Sequence, residues 1–175
     1  MPRLSPLSPF NTRFSTGGQP KQVAIREMTL RQLGHMEAEM TFDEKLYFLA
    51  RLDEIGVKET VLWGVEADAA DLVVQARDRG LGIGIALFGK TFFPEAMRAT
   101  VAKARACGAP LVRFNARGGE FSREVTGESR REELDACLLA VKVAKDAGVP
   151  ISIGPAYATQ TDPEYLEELT ATVVE

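Results

Sequence analysis

Beyond residue 21 the chain repeats one pattern: a short apolar run, a polar loop, a stretch with apolar residues three and four apart, a glycine, and the next apolar run. The apolar runs fall near 23–30, 57–63, 82–88, 111–116 and 149–154 and predict five strands. Most are continuous rather than alternating, as strands covered on both faces are. The first predicted helix opens on the capping box Thr41-Phe42-Asp43-Glu44, carries Phe42, Leu46, Leu49, Leu52 and Ile55, and stops at Gly56. The second carries Ala69, Leu72, Val73 and Ala76 to Gly80, and the third starts at Pro94 and carries Met97, Val101 and Ala104 to Gly108. The fourth opens on the box Ser129-Arg130-Arg131-Glu132 and presents Leu134, Leu138, Val141 and Ala144 before Gly148. The fifth follows Asp162 and Pro163 with Tyr165, Leu166, Leu169 and Val173.

The joins E-I-G-V, D-R-G-L, A-C-G-A and D-A-G-V each set a helix-ending glycine against an apolar strand start. One exit used four times implies one crossover used four times, hence parallel strands with helices outside. An open doubly wound sheet and a piece of a (β/α) barrel both satisfy this pattern. No G-x-G-x-x-G follows the first strand, so a dinucleotide site has no support. Gly82, Gly84 and Gly89 read as close-packing positions in the third strand rather than as a phosphate loop.

Residues 1–21 break the pattern. Pro2, Pro6, Pro9 and Pro20 with Gly17 and Gly18 disfavour helix and strand, so this stretch reads as a flexible N-terminal arm before a domain spanning 22–175. A net charge of −4 argues against nucleic acid or an anionic membrane as partner. No apolar run approaches the ~20 residues of a membrane span. Cys107 and Cys137 lie on apolar helical faces, reading as buried thiols of a cytoplasmic protein.

Candidate chemistry gathers at the C-terminal ends of the strands, where parallel α/β proteins place their sites. There the pattern puts Arg31, His35 (the one histidine), Glu66, Lys90, Asn115, Arg117 and Tyr157. Arg113, Asn115 and Arg117 alternate with Val112, Phe114 and Ala116, so one side of the fourth strand is polar. Several cations at one rim suit a carboxylate or phosphate. The competing reading is a set of solvated charges paired with Glu66 and Glu120. Trp63 reads as a packing residue.

Glu27, Thr29-Leu30-Arg31 and Gln32-Leu33-Gly34-His35, with F-D-E-K-L, A-V-K-V-A-K-D-A-G-V and A-T-Q-T-D further on, resemble the DRE-TIM metallolyase superfamily. It includes isopropylmalate and homocitrate synthases, hydroxymethylglutaryl-CoA lyase and 4-hydroxy-2-oxovalerate aldolase. The resemblance covers about residues 22–175 and implies a (β/α) TIM-barrel-like fold, here partial, with about five β/α units. It also implies carbon–carbon bond formation or cleavage beside a carbonyl, in a Claisen-type acyl-CoA/2-oxo acid condensation or an aldol cleavage. Arg31 falls on the arginine that supports the enolate or carbonyl oxygen, and His35 on the position of a histidine base in the aldolases. Glu27, Gln32, Lys90, Asn115, Arg117 and Tyr157 would then bind substrate. The resemblance brings a divalent metal with it, but Gln32 stands where the family has its metal-binding aspartate, and an amide is a poor ligand for a hard dication. No cofactor or metal ligand is therefore assigned, while acyl-CoA stays among the implied substrates.

Five units fall short of the eight of a closed barrel. Three readings follow. The chain is a divergent lyase or acyltransferase acting on a small carboxylate or carbonyl compound; or a catalytically inactive relative that binds a small anion; or part of a barrel completed by another copy or a partner chain.

Overall fold

The computed structural model describes residues 24–33 and 39–174. The proposed arm and His35 lie outside the described residues. Five strands, β1 (Arg26–Glu27), β2 (Glu59–Trp63), β3 (Gly84–Lys90), β4 (Val112–Ala116) and β5 (Ile151–Pro155), pair in the order β1-β2-β3-β4-β5. Every pairing is parallel and between sequence neighbours. A sheet that advances one strand per crossover, always in one direction, curls into part of a (β/α) barrel; the doubly wound alternative, which needs a reversal of strand order, is excluded.

The helices are α1 (Thr29–Gln32), α2 (Phe42–Glu54), α3 (Ala69–Asp78), α4 (Pro94–Cys107), α5 (Glu120–Thr126), α6 (Arg130–Ala147) and α7 (Pro163–Val174). Both capping boxes form, Thr41 with Glu44 and Ser129 with Glu132. At Gly108 and Gly148 the backbone is left-handed, at φ 73° and 68°, closing α4 and α6 as their sequence position requires. The main core lies between the sheet and the helices, with Leu62, Leu87, Val112 and Phe114 meeting Leu46, Leu72, Met97, Val101 and Ala140. A Cβ at Gly89 would lie 2.5 Å from the Phe114 ring, so the close-packing reading of that glycine holds.

The opposite, concave face of the sheet carries a smaller cluster of Val61, Ala86 and Phe88 packed with Met28, Trp63 and Leu111. It also carries charge. Glu59 accepts two hydrogen bonds from Arg113, at 2.7 and 3.0 Å, and a third from Arg26, while Arg113 donates to Ser152 at 3.0 Å. Burial alone would raise the Glu59 carboxyl, but the two arginines outweigh it and hold the group below the usual carboxylate range.

Three expectations change. The first strand is two residues long, and Arg31 stands on the helical turn α1 instead of at a strand tip. Glu27 causes the break: its carboxylate accepts the Thr29 amide and the Thr60 hydroxyl, which bends the backbone out of the sheet. A short helix, α5, occupies a stretch read as loop. In α6 the buried stripe is Glu133, Leu134, Cys137, Ala140 and Ala144, whereas Leu138 is 41% exposed. The helix is turned because Glu133 is drawn inward by polar partners described below.

Candidate functional site

The C-terminal ends of β2 to β5, with Arg31 from α1 beside them, open on one cleft of about 270 Å³, lined by Arg31, Trp63, Phe88, Lys90, Phe92, Asn115, Ala116, Arg117, Ala156 and Tyr157. Five residues expected at the rim (Arg31, Lys90, Asn115, Arg117 and Tyr157) are thus brought together. Glu27 and Gln32 are not part of the lining. Glu66 is turned away, bonded to Lys45 at 3.3 Å.

Three cations face the cleft, and aromatic rings hold each of them. The Arg31 guanidinium stacks 3.9 Å from the Phe88 ring centroid and 5.3 Å from that of Trp63. Phe88 and Trp63 meet edge to face at 4.8 Å. The Trp63 indole N–H donates to the Arg31 carbonyl at 2.7 Å, so the same residue fixes both the backbone and the side chain of Arg31. Burial lowers the Arg31 pKa, but a guanidinium this far above neutrality stays charged. Its Nε is buried and has no hydrogen-bond partner among the described residues. A buried, unsatisfied donor on a cation is costly, and the guanidinium that carries it lines the cleft.

Lys90 ends β3, and its ammonium lies 5.6 Å from the Trp63 ring and 5.7 Å from Phe92. Arg117 stacks 3.8 Å over Phe92 and is paired with Glu128 at 2.7 Å. Of the partners expected for the rim charges, Glu66 is bonded to Lys45 and the Glu120 side chain lies outside the described residues; Arg117 pairs with Glu128, which α5 and the start of α6 bring beside it. Trp63, Phe88 and Phe92 are the residues that sequence reasoning undervalued. Lone aromatics beside strand ends read as core, and only the curl of the sheet turns them toward the mouth.

Behind Arg117 stands a buried polar network. Glu133 (3% exposed) accepts the Gly118 amide at 2.7 Å and the hydroxyl of Tyr165 (0% exposed) at 2.8 Å. Arg123 (7% exposed) donates to the Gly118 carbonyl at 2.6 Å and pairs with Glu133 at 3.4 Å. Burial and the Glu133 carboxylate push the Tyr165 hydroxyl well above the ordinary tyrosine range. Burial also pushes the neighbouring Cys137 thiol up to about 12, which makes it an inert core residue. The network pins the turn that carries Arg117 into the cleft. Its signal in the sequence was the spacing 133, 137, 140 and 144, which is helical, but a glutamate at its head reads as solvent-facing.

The donor set does not fit a hard dication. The cleft is lined by three cations, and neither a carboxylate nor an imidazole appears among its described residues. No described group of histidine, cysteine, aspartate or glutamate side chains could hold a metal.

No family model and no curated protein matches the chain. Among solved structures, it is similar to a β-arabinopyranosidase with TM-score 0.52 and 14% identity, over 90% of this chain and 28% of that one. It is also similar to a sugar phosphate isomerase/epimerase from Parabacteroides distasonis, with TM-score 0.49 and 15% identity over 89% of this chain and 63% of that one. A third likeness is to an archaeal fructose-1,6-bisphosphate aldolase, with TM-score 0.44 and 16% identity over 77% of this chain and 52% of that one. The chain therefore spans less than two thirds of each of these structures. At such identities the likeness is one of fold, and it agrees with the partial (β/α) barrel seen in the strand order.

Proposed function

We propose that the chain is part of an enzyme of aldol or Claisen type, which holds a small carboxylate-bearing carbonyl compound in the cleft and forms or breaks a carbon–carbon bond beside the carbonyl. The observation that carries this reading is Arg31, a guanidinium stacked on Phe88 with a buried, unsatisfied Nε at the mouth of a parallel sheet. A fixed cation in a partly dry site stabilises a developing enolate oxygen without reorganising. Asn115 and Tyr157 supply neutral polar groups to the same cleft. His35, two residues beyond the described end of this turn at Leu33, is the proposed proton carrier. Lys90, with Arg117 across the shared Phe92 ring, draws the substrate's negative charge into the cleft.

A second reading rests on one observation: no carboxylate or imidazole is found among the described lining residues, so the cleft could bind an anion without moving a proton. Hydrogen–deuterium exchange at the methyl group of pyruvate, followed by proton NMR, separates the two. Exchange catalysed by the native chain and abolished in Arg31→Ala supports the enzyme. Binding of pyruvate without exchange supports the binding module, and exchange unchanged in Arg31→Ala contradicts the role given to Arg31.

A further inference from the structure

The cations of the mouth form a ladder joined by shared rings. Arg31 and Lys90 both reach Trp63, at 5.3 and 5.6 Å, and Lys90 and Arg117 both reach Phe92, at 5.7 and 3.8 Å. Sharing rings holds these charges at one mouth, although like charges repel. The nearby carboxylates among the described residues each have a partner already. Glu59 belongs to Arg26 and Arg113, Glu66 to Lys45, and Glu128 to Arg117. Of the three cations, only Arg117 has an acidic partner among the described residues. Among the described residues the cleft therefore carries two positive charges in excess.

From this juxtaposition we infer that the cleft selects a small dianion, a dicarboxylate or a phosphoryl compound, with Arg31 and Lys90 sharing its two negative charges. The inference rests on the reading of the mouth as a substrate site and narrows the class of substrate. A monocarboxylate would neutralise one charge and leave the other facing an occupied, drier cleft. A dianion gains from both, and the gain grows as water leaves the site. Lys90 is then the residue that sets the specificity, whereas Arg31 is needed for any anion.

The test is calorimetric titration of the native chain at pH 8 and ~0.1 M ionic strength with acetate, sulfate, methyl phosphate and malonate. Sulfate, methyl phosphate and malonate should each bind at least about tenfold more tightly than acetate. Malonate ahead of methyl phosphate points to a dicarboxylate substrate, and the reverse order to a phosphoryl one; either order supports the inference. Lowering the pH from 8 to 5 converts a phosphate monoester, with second pKa of about 6, to its monoanion. Methyl phosphate affinity should fall relative to that of sulfate, a dianion throughout, which cancels any protonation of His35. In Lys90→Gln the preference for sulfate over acetate should shrink by about fivefold or more. Lys90 is exposed, so this variant keeps the fold. Acetate binding as tightly as sulfate overturns the inference and leaves the anion site standing. So does a methyl phosphate affinity that tracks sulfate across the pH range. Absence of heat with every anion overturns the site itself and this inference with it.

Discussion

The two walls of the cleft are built by different means. On the β4–β5 side, Arg117 projects from a turn tied to Glu133, Arg123 and Tyr165, all buried, with the ring of Tyr165 lying 4.8 Å from the Arg123 guanidinium. On the β1 side, Arg31 stands on one helical turn after a two-residue strand, held by two rings and by the Trp63 bond to its carbonyl. A buried charged network is costly to break, so the first wall is stiff. A short edge element with few buried bonds opens at low free energy, so the second is the wall that can move. The comparison teaches that the residue nearest the proposed chemistry sits on the less stable support, while a cation placed for binding sits on the rigid one.

The largest effect should come from Glu133→Ala. It takes a carboxylate partner from the buried Arg123 and the acceptor from the Gly118 amide, so denaturant unfolding should show a loss of about 3–5 kcal/mol. Tyr165→Phe removes one bond to the same carboxylate and should cost about 1.5–3 kcal/mol on the same measurement. On the other wall, Glu27→Ala deprives the buried Thr60 hydroxyl and the exposed Thr29 amide of their acceptor. It should cost only about 1 kcal/mol globally. Its mark should instead be local, as faster amide exchange in α1 with exchange in α6 unchanged. Equal slowing or speeding of both would erase the difference between the walls.

The acid limb of stability gives a smaller test. The Glu59 carboxyl is depressed in the folded chain, because the bonds from Arg113 and Arg26 outweigh burial. Its contribution is therefore complete above the unfolded value of about 4.3 and disappears as pH falls through the lower folded value. Glu59→Gln should flatten the stability profile below about pH 4.3. A profile identical to that of the native chain would mean that the pair contributes nothing there.

Much of the fold was legible because its signals are local. The two capping boxes and the helix-closing glycines each act over four or five residues, and their repetition set the strand direction. The strand order then chose the partial barrel over the doubly wound sheet. Arg31 was legible as a residue of the mouth but not as a helical one. Its turn depends on where the Glu27 carboxylate goes, and Thr60, from another strand, helps hold it there. Glu133 was illegible for a similar reason: its burial is compensated by Gly118, Arg123 and Tyr165, which lie 15, 10 and 32 residues away. Charged residues buried by distant partners leave no mark on hydrophobic periodicity.

The account stands on Arg31 lining the cleft with its charge unpaired among the described residues, and Trp63, the one tryptophan of the chain, reports on it directly. Its fluorescence should change saturably as sulfate is added to the native chain and stay flat in Arg31→Ala. A saturable change of equal size and midpoint in both would contradict the account.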